Sequence, residues 1–334
     1  MGVRIQTDWN YRGLDAIIIE NELLRVDIFP QAGAKIYNYI FKPADHNFMW
    51  HHPRIDLEAV PLGLPYDDHF SGGWDELFPN DAPGLFQGAM LPDHGELWCR
   101  PWDYDVVKDT PDEVVLYLRH RGAVTSTIVE KWLTMRSGEA KLHFKHRITN
   151  IGKDPLDFLW KLHPAISVDK NCRVDVPGRR GEFVGPDWSR LADANSVFDW
   201  PIATNPRGEK ADISVVMPLE TGNRDFVYVS DLYAGWCALT DTKKRIGFAL
   251  VFPKDIFPYV WLFMPAGGWR DIQTVVMEPC TTCPKDLDIA VARGSTAHLN
   301  SGESLECEVT GLVYTGVTSV ASIELDGTVI QGKR

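Results

Sequence analysis

Residue types suited to proton transfer and polar recognition gather in four stretches of this chain. The segment Asp67-Asp68-His69-Phe70-Ser71-Gly72-Gly73-Trp74-Asp75-Glu76-Leu77-Phe78-Pro79-Asn80-Asp81 joins carboxylates, an imidazole, a glycine pair and aromatic rings. Such a segment can line a polar pocket or form a capped, solvated loop. Aromatics on a solvated loop would expose costly apolar area, which favours the pocket. In Pro92-Asp93-His94-Gly95-Glu96-Leu97-Trp98-Cys99-Arg100-Pro101-Trp102, Gly95 would let a ligand approach closely, while Arg100 and Trp102 offer a charged donor and a stacking face. His163 lies in the apolar run Leu159-Trp160-Lys161-Leu162-His163-Pro164. It is either a neutral core imidazole satisfied by two hydrogen bonds or, facing a cleft, a group that titrates near pH 7. Glu278 ends the run Val275-Val276-Met277 and precedes Pro279. Unless it turns to solvent, burial demands a partner or a raised pKa.

Other combinations carry less. Cys280-Thr281-Thr282-Cys283 is a single CxxC without a second pair or a βαβ context, which argues against zinc or thioredoxin-like chemistry. His143 and His146 on a strand, and the adjacent His51 and His52, would point to opposite faces and could not chelate. There is no P-loop, dinucleotide GxGxxG or GxSxG elbow, so nucleotide-dependent and serine-hydrolase chemistry drop out.

The elements that must position these groups read as strands. Leu24–Ile28 and Leu142–Ile148 largely alternate apolar and polar residues. Val114–Leu118, Ser126–Leu133, Phe226–Val229, Ile246–Phe252, Ile272–Met277 and Leu305–Tyr314 are rich in β-branched or aromatic residues between turn formers. No long amphipathic helix stands out. The pattern predicts an all-β chain of large antiparallel sheets with few short helices, a β-sandwich as opposed to a doubly wound α/β fold. Residues 53–92 and 184–209, rich in Pro, Gly, Asp and Trp, read as long irregular regions of the kind that form functional loops or lids. With no linker, charge block or repeat, residues 1–334 read as a single domain.

Composition bounds the partners. Over 334 residues the formal net charge is −12, against a nucleic-acid or anionic-membrane partner. A hydrophobic fraction of 44% with 24% charged residues supports a large core, and 12 Trp, 10 Tyr and 15 Phe suit both core packing and sugar rings. The N-terminal Met1-Gly2-Val3-Arg4-Ile5-Gln6-Thr7-Asp8 has no secretory apolar run. Stretches such as Tyr259–Ala266 fall short of the roughly 20 residues of a membrane span. Six cysteines do not form a disulfide framework, so the expected compartment is the cytoplasm.

His94-Gly95, His163 and Glu278-Pro279, in this order in an acidic all-β chain, together resemble the aldose 1-epimerase (galactose mutarotase-like) family. The segment Glu22-Leu23-Leu24-Arg25-Val26-Asp27-Ile28-Phe29-Pro30-Gln31-Ala32-Gly33 is similar to the family's first strand pair, which runs into a Gly-containing turn. The resemblance implies a β-supersandwich with its site in an open cleft on one sheet, and no required metal or organic cofactor. It implies that Glu278 is the general base at the anomeric hydroxyl, His163 the general acid at the ring oxygen, and His94 a second histidine that holds the sugar. Trp74, Trp102 or Trp261 would stack on the sugar, and Asp231 would match the family's hydroxyl-binding Asp.

One departure bears on the substrate. Galactose mutarotases carry an Asn-Arg pair upstream of the first His, where this chain reads Gly73-Trp74-Asp75-Glu76-Leu77-Phe78. Asp75 and Glu76 would instead accept hydrogen bonds from hydroxyls or an amine, and Arg100 would bind an anionic group. The expected partner is a small sugar, and the chain a monomer or homodimer. Two rivals remain at the level of sequence: a non-catalytic carbohydrate-binding β-sandwich, and a glycoside hydrolase or lyase using Asp75 or Glu76 with Glu278 as a carboxylate pair.

Overall fold

A computed structural model describes residues 2–332 apart from 192 and 325. Strands dominate throughout, as the alternation predicts, and the one α-helix among the described residues is the seven-residue Leu287–Arg293, closed by Gly294 in the left-handed region. No helix among them is long and apolar enough to cross a membrane. The chain divides into two compact units, Met1–Pro164 with Thr281–Thr310, and Ala165–Cys280 with Gly311–Arg334.

In the first unit, Arg4–Tyr11, Leu14–Glu20, Leu24–Phe29 and Lys35–Phe41 form an antiparallel meander. It continues through Ile36↔Trp74 to the short strand Trp74–Leu77. That strand pairs with Lys161–Pro164 in the register Leu77↔Lys161, Glu76↔Leu162, Asp75↔His163 and Trp74↔Pro164. A second meander runs Asp103–Asp109, Glu113–Arg121, Thr127–Arg136, Lys141–Asn150. Its two middle strands alternate buried and half-buried residues along nearly their whole length, so one face of each is core.

In the second unit, Cys172–Asp175, Trp236–Asp241 and Ile246–Val251 pair antiparallel. Trp236, Ala238, Ala249, Leu312 and Tyr314 cluster in its core. A separate ladder runs Val275–Cys280, Tyr259–Ala266, Asn223–Ser230, Arg180–Phe183, Val197–Asp199.

The two regions that read as irregular are more structured than their composition suggests. Residues 53–92 hold the 3-10 turn Tyr66–Asp68, the strand Trp74–Leu77 and a hairpin of Gly84–Phe86 with Ala89–Leu91. Residues 184–209 hold a 3-10 turn and the strands Val197–Asp199 and Ile202–Thr204. Strands of three or four residues are too short to display a period, and Trp74–Leu77 is buried on both faces, which removes the alternation altogether.

Glu96, fully buried, ties the first unit together locally. Its carboxylate accepts from the backbone N–H groups of Ala123, Val124 (2.7 Å) and Thr125 (3.1 Å) and from the Thr125 hydroxyl (2.8 Å), fixing the turn between Glu113–Arg121 and Thr127–Arg136. Burial alone would raise its pKa, but His120 and these donors outweigh it and hold it below the usual range. Glu96→Ala removes the acceptor of four part-buried donors and is expected to cost about 2 kcal/mol in urea unfolding. Because the folded-state pKa is depressed, the carboxylate's electrostatic contribution is complete above the unfolded value of about 4.3 and fades as pH falls through the folded one. The difference in stability between wild type and variant should therefore narrow in acid.

Candidate active site

Adjacent residues on a strand point to opposite faces, so Asp75 and Glu76 enter different environments. Glu76 accepts from Lys131 Nζ at 2.9 Å and Trp160 Nε1 at 3.2 Å and lies 3.3 Å from His146 Nε2. Burial would raise its pKa, but Lys131 and His146 drive it far below the ordinary carboxylate range. On the other face, Asp75 Oδ2 accepts from Lys35 Nζ at 2.9 Å and from the Tyr66 hydroxyl at 2.8 Å. The remaining Lys35 donors go to the Gly72 carbonyl at 2.9 Å and Ser71 Oγ at 3.3 Å. Strand register sets His163 beside Asp75, and its Nδ1 lies 3.1 Å from the same Tyr66 hydroxyl.

Tyr66 also carries His94, whose ring stacks on it with centroids 4.2 Å apart and planes 14° from parallel. The Tyr66 backbone N–H donates to Asp93 Oδ2 at 2.8 Å, and His94 Nδ1 lies 2.8 Å from Asp93 Oδ1. His94 Nε2 is 3.8 Å from Asp81 Oδ2, which accepts from Lys161 Nζ at 2.5 Å. The chain turns sharply here, with positive φ at both His94 (57°) and Gly95 (74°). The close approach that Gly95 permits is to the protein's own backbone: an added Cβ would stand 2.0 Å from the Phe78 carbonyl oxygen, which accepts from Glu96 N–H at 2.8 Å.

Tyr66 thus gathers Asp75, His94 and His163 in the first unit, with the two imidazole centroids 6.3 Å apart. His163 is 5% exposed. Burial, reinforced by Lys161, His94 and Lys35, pushes its pKa well below the ordinary value, so the ring is neutral near pH 7.

The other expected residues are distributed as follows. Trp74 is buried with its ring 4.8 Å from Phe144, and Trp102 is buried beneath Lys131 Nζ (4.6 Å), donating to the Leu97 carbonyl. Arg100 is half-buried, and its Nε has no partner among the described residues. Glu278, Trp261 and Asp231 belong to the second unit. Glu278 is 1% exposed and in register with Trp261, which faces Tyr228 across the next strand pair at 4.5 Å between rings. Asp231 is exposed, in a positive-φ turn beyond the end of Asn223–Ser230.

Tyr66 and Lys35 are absent from the residues singled out in the sequence. Each left a signal. Lys35 is the one charged residue in the strand Lys35-Ile36-Tyr37-Asn38-Tyr39-Ile40-Phe41, and Tyr66 immediately precedes the carboxylate-rich segment.

Candidate metal ligands are few. His143 and His146 face opposite ways, toward Glu139 and Glu76 respectively. Among the described residues, Asp169, Cys172 and Asp241 offer ligand atoms within 4.8 Å of one another. Asp241 there caps the backbone N–H groups of Lys243 and Lys244, and burial pushes the Cys172 thiol up to about 12, leaving it protonated at neutral pH.

No family model matches the chain. Solved structures do. A candidate aldose 1-epimerase from Klebsiella pneumoniae superposes with a TM-score of 0.71 at 13% identity, covering 93% of this chain and 83% of that one. A candidate mutarotase from Salmonella typhimurium gives 0.64 at 12% identity, covering 94% of each chain. The galactose mutarotase related enzyme from Lactobacillus acidophilus gives 0.59 at 15% identity, covering 90% and 97%. By its antiparallel sheets and by these superpositions, the chain has the galactose mutarotase-like β-sandwich fold.

Proposed function

We propose that the protein is a cofactor-independent aldose 1-epimerase, an isomerase that interconverts the α and β anomers of a free sugar. The observation that carries this reading is the cluster of His163, His94 and Tyr66, which joins the two histidines singled out by the sequence resemblance. The named solved structures support it through the fold. Residues 1–334 then act as one aldose 1-epimerase-like domain, and the cytoplasmic location expected from the sequence belongs to the same proposal.

In this scheme Glu278 takes the proton of the anomeric hydroxyl while imidazolium His163 gives one to the ring oxygen. The C1–O5 bond breaks, and the sugar opens to an aldehyde. The C1–C2 bond rotates, O5 attacks the other face of the carbonyl, and both protons return. The chemistry needs an acid and a base whose roles reverse within one turnover, which an imidazole and a carboxylate can supply. His94 would hold the sugar near its ring oxygen, and Arg100 would meet an anionic substituent. The glycosidase reading is the less favoured: the carboxylates it would pair with Glu278, Asp75 and Glu76, are both buried and each is already paired with a lysine.

NMR exchange spectroscopy on a panel of free sugars should show anomers interconverting faster than the uncatalysed rate. His163→Ala and Glu278→Gln should each lose that acceleration while retaining sugar binding; full activity in either would remove it from the scheme.

The pH profile provides a separate check. The acid must be the protonated form of His163, and its folded-state pKa is depressed. In the free enzyme kcat/KM should therefore fall about tenfold per pH unit above that pKa, with the alkaline limb below the ordinary histidine value of about 6.5. A limb at or above pH 7.5 would assign the acid role to another group.

A further inference from the structure

The hydrogen bonds around Tyr66 have a direction that distances alone do not give. A carboxylate has only lone pairs to offer and an ammonium only protons. Lys35 and Tyr66 meet at the same oxygen, Asp75 Oδ2, and the ammonium of Lys35 fills its other places with Gly72 O and Ser71 Oγ. The single proton of the Tyr66 hydroxyl is thereby committed to Asp75. What the hydroxyl presents to His163 Nδ1, 3.1 Å away, is a lone pair. A bare Nδ1 would set two lone pairs face to face; a protonated Nδ1 makes a hydrogen bond. An unconstrained neutral histidine prefers to carry its proton on Nε2, so this is a preference the protein has to impose.

We propose that Tyr66 is a positioning residue: its hydroxyl, oriented by Asp75 and Lys35, holds neutral His163 as the Nδ1–H tautomer and makes Nε2 the nitrogen that gains and loses the catalytic proton. The kinetic part of this assignment rests on the reading of His163 as the general acid; the tautomer does not. Three contacts keep the hydroxyl from swinging away. The Tyr66 ring is stacked on His94 at 4.2 Å and met edge-on by Trp98 at 4.9 Å, and its backbone N–H is bound to Asp93. Tyr66 itself is 2% exposed, so water does not compete for the bond. The same hydroxyl fixes ring rotation, which sets the direction in which Nε2 points. A group that orients the general acid in this way acts through it, and its loss is felt at that residue.

The test is 15N NMR of protein labelled at histidine, at a pH well above the ordinary histidine pKa of about 6.5, with the His163 resonances assigned by their loss in His163→Gln. In the wild type, Nδ1 should show the pyrrole-like shift of a protonated nitrogen and Nε2 the pyridine-like shift. Tyr66→Phe keeps the stacked ring and removes only the oxygen; it should move His163 toward the Nε2–H form and lower kcat/KM by about 10- to 100-fold, with KM changed little. An Nε2–H tautomer in the wild type overturns the assignment without any variant. So does a Tyr66→Phe protein that folds normally by circular dichroism and keeps both the wild-type shifts and the wild-type rate. A wild-type protein with Nδ1–H that moves toward Nε2–H in Tyr66→Phe but anomerises no sugar in the panel upholds the role of Tyr66 and sinks the proposed function instead.

Discussion

A carboxylate withdrawn from water must meet a positive charge, and the four-residue strand Trp74–Leu77 imposes that requirement twice, on opposite faces. Glu76 meets Lys131 from the second meander of the first unit, joining its two sheets through the core. Asp75 meets Lys35 from the neighbouring meander strand. Each pair is almost fully buried; Lys35 also reaches the Gly72 carbonyl and Glu76 also accepts from Trp160, which offsets part of the cost of burying the charges, while Asp75 Oδ1 is buried with no hydrogen bond among the described residues. The geometry around His163 depends on this arrangement. Only a fixed Asp75 can orient the Tyr66 hydroxyl, and only a fixed Tyr66 can set the histidine ring and the stacked His94.

The same constraint explains what the sequence revealed and what it hid. Long strands with one core face advertise themselves by alternation: Val114–Leu118, Ser126–Leu133 and Leu142–Ile148 all lie in or overlap strands of the second meander. His163 stood out because a titratable ring in an apolar run is conspicuous, and His94 because its segment with Gly95 takes part in the family resemblance. The partners of these groups did not. Nothing in the spacing of Lys35, Tyr66 and Asp75 shows that three different elements converge, because convergence is a property of tertiary packing. Asp75 and Glu76 read as equivalent acceptors for a sugar, whereas strand geometry sends them to opposite faces and pairs each with a lysine. The tryptophans behave similarly. Composition admits stacking on a ligand, but Trp74 and Trp102 pack inside the protein.

The acidity of the chain also takes on a more specific meaning. Some of its carboxylates are structural, held in place by lysine, arginine or backbone N–H groups, Glu76 and Glu96 among them. At His163 burial is the main cause that disfavours the cation, and Lys161, His94 and Lys35 add to it. The imidazolium, once formed, is therefore a strong proton donor.

The first unit is completed by a segment that the chain reaches late. It leaves that unit at Pro164 and returns at Thr281, where Thr281 Oγ1 accepts from Trp160 N–H at 3.0 Å and Thr282 Oγ1 donates to the Phe158 carbonyl at 2.9 Å. Those backbone groups of residues 158–160 have to wait on the ribosome while residues 165–280 are made. At about 5–20 residues per second the delay is on the order of ten seconds. Throughout it the first unit lacks the segment that completes these bonds, so the order of synthesis delays its closure whatever the strength of any one contact.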